Sequence, residues 1–276
     1  MHSLEHDETF HPVIGPVAEA EALYVRQLRL PERMRTCEEG FVLWDVGLGA
    51  AANVLTVLRA CREIRGSLRI VSFDQTLDPL EFALAHRMEL GYFGEYETAV
   101  AALLRDRSIA FDNDRQHVSW EVQVDDFAEL LHRPEAEGLP KPHGILFDAF
   151  SPATNAAMWT QPLFARIYEL LDPNRPCALP TYSRSTMLRV SLLLAGFFVG
   201  VGHATGEKEE TTIAANSMSL IAEPLDRKWL ERARRSTSAE PLWTPVYRQA
   251  AMSENTWTKL KRHAQFGGDP AAAELK

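Results

Sequence analysis

The sequence predicts an α/β protein, a doubly wound and mostly parallel sheet with an antiparallel final strand. Short apolar runs of strand length alternate with longer segments whose apolar residues recur every three or four positions. Several of these runs are apolar throughout, as strands are when helices cover both faces of a sheet. The last two runs are joined only by the polar residues 203–212, with no room for a crossover helix, so they are antiparallel neighbours.

In chain order, residues 1–40 contain "EAEALYVRQLRLPER" and form an amphipathic N-terminal cap. "FVLWDV" (41–46) is the first strand, and Val54, Val57, Leu58, Cys61 and Ile64 then mark a helix with one buried face. "LRIVSFD" (68–74) is the second strand, followed by helical pattern over 78–107 with a break near 91–94. "HVSWEVQV" (117–124) is a third strand, "DFAELLH" a short helix and "HGILFDAF" (143–150) a fourth strand. "AAMWTQPLFARIYELL" (156–171) is helical and stops before Pro173. "CALPTYS" is the fifth strand and "RSTMLRVSLLLA" a helix, while "GFFVGVG" and "TTIAANSMSLIA" are the closing pair. The expected division is a cap (1–40), a main domain (41–222), a C-terminal helical extension (223–265) and a flexible tail (266–276).

Hydrophobic residues at 46% and charged ones at 24% are globular values. A net charge of −9 argues against a surface that is nucleic-acid glue all over, since phosphate binding rests on Lys and Arg, but leaves room for a local basic patch. Three widely spaced cysteines, Cys37, Cys61 and Cys177, form no disulfide framework and fit a reducing cytoplasm. The nine histidines show no metal-ligand spacing, so no metal site is expected. The polar, acidic start has no signal-peptide pattern, and the longest apolar stretch (190–202) is too short to span a bilayer.

Candidate site residues stand at the strand ends. Gly47 and Gly49 in "DVGLGAAANVL" (45–55) let the backbone turn sharply beside a helix N-terminus, either to cradle a ligand or simply to turn. Asp45 is either a solvated turn residue or an orienter of the loop. Asp74 ends the second strand about where a ribose-binding carboxylate belongs, although a helix cap is the plainer role. Of Asp125 and Asp126, one suits an adenine amino group and the other a helix N-cap. "ILFDAFSPATNAAMW" (145–159) puts Asp148 at the end of an apolar strand, with Phe150, Ser151, Pro152 and Asn155 rimming a pocket or forming a structural turn. A carboxylate beside an aromatic suits an amine nucleophile. Tyr182 could reach the same pocket, and Arg189 either contacts phosphate or lies on a solvated helix face.

From about residue 15 to 222 the chain resembles the MnmC-type methyltransferase domain family, which completes 5-methylaminomethyl-2-thiouridine at the tRNA wobble position. The matches fall in order: "EALYV" with Glu21 and Tyr24, "LPER", "DVGLGAAAN", "DAFSPATNAAMW" and "TYSRSTMLRVSLLLAGF". The block holding Asp148, Phe150, Pro152, Asn155 and Trp159 is the most specific. The resemblance implies a class I, Rossmann-like methyltransferase with S-adenosylmethionine as donor, an aminomethyl group as acceptor and tRNA as partner. It assigns Asp45, Gly47, Gly49 and Asn53 to the donor loop, Asp74 to ribose, Asp126 or its neighbour Asp125 to adenine, and Asp148 to the meeting point of donor and amine. Phe150 and Tyr182 would complete the catalytic group. Ser151, Pro152, Asn155, Arg189 and Lys208 would face the substrate. The chain departs from the family where Ala51 replaces a third glycine, where Ala52 replaces a larger apolar residue, and where Glu209 replaces an arginine between Lys208 and Glu210. A methyl- or aminopropyltransferase acting on a small amine, or a non-catalytic S-adenosylmethionine-binding scaffold, are the competing expectations.

Overall fold

A computed structural model describes residues 15–205 and 209–267, with the backbone of a short pairing between His2–Ser3 and Glu8–Thr9. Eight strands form the main sheet: β1 Phe41–Val46, β2 Gly66–Asp74, β3 Ser108–Asn113, β4 Gln116–Val124, β5 Gly144–Phe147, β6 Ala178–Thr181, β7 Phe198–Gly202 and β8 Thr211–Ala215. Their spatial order is β3-β4-β2-β1-β5-β6-β8-β7. The pairs from β4 through β6 are parallel, whereas β8 runs antiparallel to both β6 and β7. The expected antiparallel closing pair is present, with its second strand inserted between β6 and β7.

Strand β1 shows why the central runs are apolar without alternation. Trp44 and Val46 enter a core shared with Phe147, Trp159 and Phe164, while Phe41 and Leu43 enter the opposite core with Leu23, Leu55 and Leu58. Side chains alternate across a strand, so a strand covered on both sides needs apolar residues at every position. Asp45 shares the parity of Phe41 and Leu43 and is fully buried.

The N-terminal segment forms α1 Pro16–Ala20, a π-helical turn Glu21–Arg26 and α2 Leu30–Arg35. Leu23, Tyr24, Leu28 and Leu30 are each at most 2% exposed, so the segment completes the second core. At roughly 1.5–3 kcal/mol per buried large side chain, these contacts rival the roughly 5–15 kcal/mol net stability of a domain. The remaining α-helices of five or more residues are α3 Ala52–Cys61, α4 Asp78–Ala85, α5 Glu97–Asp106, α6 Phe127–Leu131, α7 Gln161–Leu170, α8 Thr186–Leu194, α9 Arg227–Arg234 and α10 Glu254–Lys261. Among the described residues no helix is long and apolar enough to cross a membrane.

Several elements differ from expectation. Residues 108–113, not anticipated as a strand, form β3, an antiparallel edge against β4. Residues 156–159 are a 3-10 turn, and α7 begins at Gln161, where the Thr160 hydroxyl caps the Leu163 N–H and a proline occupies the first turn. The closing run leaves the sheet at Ala215, because the Asn216 side chain turns back to accept from the Cys177 N–H at 2.8 Å. The extension is α-helical only at α9 and α10, with a 3-10 turn at Ala264–Phe266, and Trp229, Leu242, Met252 and Leu260 bury into the core that holds α7. Phe266, expected to open a flexible tail, is buried in that core, while residues 268–276 lie outside the described residues.

Candidate active site

Parallel register brings the carboxyl ends of β1, β2 and β5 side by side: Asp45 faces Ser72 on one neighbour and Leu146 on the other. Asp74 ends β2, Asp148 follows β5 directly, and Tyr182 follows β6. This is the edge where open α/β sheets bind ligands.

Beyond Val46 the chain crosses the end of β2, with the Gly47 and Leu48 N–H groups donating to the Phe73 carbonyl at 3.0 and 3.3 Å. Gly47 has φ 90°, and a Cβ there would stand 2.7 Å from the Asp148 carbonyl oxygen. Only glycine permits that approach, which presses the loop against the end of β5. The Gly49 N–H donates to Asp74 Oδ2 at 2.8 Å, so Asp74 orders the loop. Ala51 takes a left-handed conformation, φ 61° and ψ 13°, and is fully buried. The residue replacing the third glycine thus keeps glycine's conformation, which costs a non-glycine residue about 1–2 kcal/mol. The surroundings enforce it: Tyr92 Oη donates to the Ala50 carbonyl at 2.9 Å.

Asn53, in the first turn of α3, donates from Nδ2 to Asp148 Oδ2 at 2.8 Å. This bond joins the glycine loop's helix to the block 95 residues later in the chain. Asp45 is no solvated turn residue. Its Oδ2 accepts from Ser72 Oγ at 2.7 Å, and Ser72 Oγ in turn accepts from Trp120 Nε1 at 2.9 Å. Burial pushes its pKa up to about 7 against the Ser72 hydrogen bond, and the nearby Asp148 and Asp74 carboxylates add to the rise.

The rim behind Asp148 is fixed by two aromatic side chains. Tyr182 Oη donates to the Ala149 carbonyl at 3.0 Å and Trp159 Nε1 to the Phe150 carbonyl at 2.7 Å. Ser151 accepts from the Thr154 and Asn155 N–H groups through its carbonyl at 3.0 and 2.8 Å, closing the turn around Pro152. The structure therefore gathers Asp45, Gly47, Gly49, Asn53, Asp74, Asp148, Phe150 and Tyr182 at one edge, with Ser151, Pro152 and Asn155 on the adjoining turn.

Tyr24 joins them, although the sequence marks it only as part of a motif. It is buried, and burial together with the Asp148 and Asp45 charges pushes its pKa well above the usual phenol value. Its hydroxyl, Asp45 Oδ1 and Asn53 Oδ1 are buried without a hydrogen-bond partner in the protein. No local sequence signal separates such a tyrosine from an ordinary core aromatic.

Other expected residues sit differently. Asp126 is the N-cap, accepting from the Glu129 N–H at 3.0 Å and from Gln75 Nε2 at 2.7 Å. Asp125 is paired with Arg133, whose hydrogen bonds hold the carboxyl below its usual range. A cavity of about 350 Å³ beyond Asp74 is lined by Gln75, Thr76, Leu77 and Val124, and neither Asp125 nor Asp126 is among its lining residues. Arg189 is not on a solvated face: it is buried, donates to Thr212 Oγ1 at 3.0 Å and the Thr211 carbonyl at 2.9 Å, and pairs with Glu210 at 3.3 Å. Lys208 lies outside the described residues.

Residues 95–217 match a family model described as S-adenosyl-L-methionine-dependent methyltransferase. The chain is 27% identical over 206 residues to the tRNA 5-methylaminomethyl-2-thiouridine biosynthesis bifunctional protein MnmC of Burkholderia vietnamiensis, covering 71% of this chain and 30% of that protein. The protein of the same name from Cupriavidus necator is 26% identical over 245 residues, covering 84% and 36%. The chain carries an S-adenosyl-L-methionine-dependent methyltransferase domain and is similar to these MnmC proteins. It spans about a third of the length of these curated relatives. The crystal structure of MNMC2 from Aquifex aeolicus has the same fold, with a TM-score of 0.66 at 23% identity over 93% of this chain and 78% of that one.

The residues of this methyltransferase domain fit its donor, S-adenosylmethionine. Asp45, Asp74 and Asp148 lie close enough for the latter two to raise the Asp45 pKa, and a cationic ligand beside them would favour the ionised carboxylates. Unpartnered buried polar atoms cost about 1–3 kcal/mol each, so the three at this edge call for a polar ligand.

Proposed function

We propose that this domain methylates the exocyclic amine of an aminomethyl group on a modified tRNA wobble uridine. The hydrogen bond from Asn53 to Asp148 carries this reading: it ties the donor loop to the carboxylate at the acceptor side, so both reactants are oriented by one unit. The relatives are named for 5-methylaminomethyl-2-thiouridine biosynthesis, which supports the choice of acceptor.

In this reading the glycine loop lets the backbone approach the donor closely, Asp45 and Tyr24 face its polar end, Asp74 takes the ribose hydroxyls, and Asp125 and Asp126 border the adenine. S-adenosylmethionine supplies an electrophilic methyl group that needs no further activation. Asn53 fixes one oxygen of Asp148, so the carboxylate can accept a hydrogen bond from the amine in a set direction. Asp148 would take the proton that the amine nitrogen releases on methylation. Phe150, Ser151, Pro152, Asn155 and Tyr182 shape the acceptor side and keep water from the reacting nitrogen. Arg189 acts from behind the site by holding Thr211 and Thr212 in β8. Orientation of this kind is worth up to roughly 7–11 kcal/mol in the best intramolecular cases. We place the protein in the cytoplasm, where tRNA is modified; all three cysteines are free thiols.

Methyl transfer to tRNA bearing 5-aminomethyl-2-thiouridine tests the proposal. Asp148→Ala should lower the rate at saturating donor by about 10²–10⁴-fold. Full turnover by the variant would remove Asp148 from the reaction, and transfer only to small amines would replace the acceptor.

A further inference from the structure

The C-terminal unit lies outside the stretch matched by the family model and differs in charge from the rest of the chain. Residues 223–265 hold nine Lys/Arg against five Asp/Glu, where the rest holds 20 against 33. Within 241–262 the single acidic residue is Glu254, which pairs with Arg234. An acidic protein therefore carries a basic appendage.

The appendage also presents aromatics to solvent. Residues 243–249 are exposed in an unbroken run, including Trp243 at 37%, Val246 at 64% and Tyr247 at 40%. The loop bearing them is held at its base, not free. The Ala239 and Glu240 N–H groups both donate to the Ala250 carbonyl, at 2.9 and 3.0 Å. The buried Glu240 carboxylate accepts from Ser253 N, Ser253 Oγ, Thr256 Oγ1 and Trp243 Nε1 at 2.8 to 3.1 Å. A loop with clamped ends and an apolar, exposed tip is a binding loop in its physical design. Lys259 Nζ stands 5.6 Å from the Trp243 ring centroid, placing a cation beside the platform.

The loop begins at the active-site rim. The Leu242 carbonyl accepts from the Gln161 N–H at 2.8 Å, and Leu242 bridges Thr160, the residue after Trp159 whose indole fixes the Phe150 carbonyl. Trp243 is thus one residue from the segment that frames Asp148.

We propose that the loop 240–250 with α10 is the surface on which the acceptor RNA docks: Trp243 and Tyr247 stack unpaired bases beside the target nucleotide, and Arg248, Lys259 and Arg262 contact the backbone phosphates. Aromatic platforms interleaved with cations suit a single-stranded loop better than a duplex, whose bases are already stacked. This inference rests on the RNA-methylation reading above.

The test uses the full chain and a labelled tRNA anticodon stem-loop, read by fluorescence anisotropy, with methyl transfer measured in parallel. Each stack removed should cost about 5- to 150-fold in affinity, so Trp243→Ala with Tyr247→Ala should weaken binding at least about 10-fold. Trp243→Phe with Tyr247→Phe should restore most of it, and donor affinity should not change. Arg248→Ala should lower the slope of log affinity against log salt by about 0.7, as expected for one lost single-strand phosphate contact. Variants that bind like the wild type would overturn the docking surface, and if the wild type methylates modified tRNA the function reading would survive. A wild type that neither binds nor methylates RNA would overturn both. Loss of self-association in the alanine variants with unchanged RNA affinity would make the patch a contact between copies and overturn the proposal.

Discussion

Replacing Asp45 by asparagine should remove a pH dependence from the stability of the fold. Asp45 is fully buried and its pKa is pushed up to about 7 by burial, opposed by the Ser72 hydrogen bond and aided by Asp148 and Asp74. In the unfolded chain the same carboxyl titrates near 3.8. Between about pH 4 and 7 the folded protein therefore holds a proton that the unfolded chain has released, and stability falls as pH rises through this window. At 1.36 kcal/mol per pH unit the loss has a ceiling of about 4 kcal/mol, complete above pH 7. Asparagine is neutral throughout and its amide oxygen can still accept from Ser72. Urea unfolding of ligand-free wild type and Asp45→Asn at pH 5 and pH 8 measures the effect. The variant's stability relative to the wild type should rise by up to about 3 kcal/mol from pH 5 to pH 8. Saturating S-adenosylmethionine should flatten the wild-type slope, because a cation beside Asp45 favours its ionised form. Parallel stability profiles for wild type and variant would refute the reasoning.

Ala51→Gly should leave stability within about 1 kcal/mol of wild type: relief of about 1–2 kcal/mol of left-handed strain is offset by a lost buried methyl and a more flexible unfolded chain. Ala51→Val, β-branched at the same φ with no room around it, should cost about 2–4 kcal/mol by urea unfolding; a neutral result would disprove the left-handed turn. Burial pushes the Glu240 pKa up, but the hydrogen bonds from Ser253, Trp243 and Thr256 outweigh it and hold the carboxyl below its usual range. Its contribution is complete above pH 4.5 and is lost as pH falls through the depressed value, while Glu240→Gln should lose about 1–3 kcal/mol at neutral pH because an amide nitrogen cannot accept. Tyr24→Phe deletes a buried hydroxyl that has no protein partner, so thermal stability should hold or rise while donor affinity, measured by calorimetry, falls; an unchanged affinity would take Tyr24 out of the donor site.

The central strands were legible because both their faces are buried, and that forces apolar residues at every position. Strand β3 was not, since Arg107 ends α5 and Asp114 turns the hairpin, both in left-handed conformations without a glycine to announce them. The glycine loop and Asp148 could be read from spacing and motif. Their direct link through Asn53 could not, because it depends on how closely β1 and β5 pack at Gly47. Arg189 resembled a surface residue along its helix, yet the insertion of β8 between β6 and β7 turns that position into the interior. Tyr24 carries a role that emerges only when three segments distant in sequence bring their polar atoms together.

The most direct test of the account is transfer of a labelled methyl group from S-adenosylmethionine to tRNA bearing 5-aminomethyl-2-thiouridine, comparing wild type with Asp148→Ala. Label on the wobble uridine is expected with the wild type and its loss with the variant at saturating donor, with both proteins still binding the donor in calorimetry. A wild type that binds S-adenosylmethionine but leaves the modified tRNA unlabelled would contradict it.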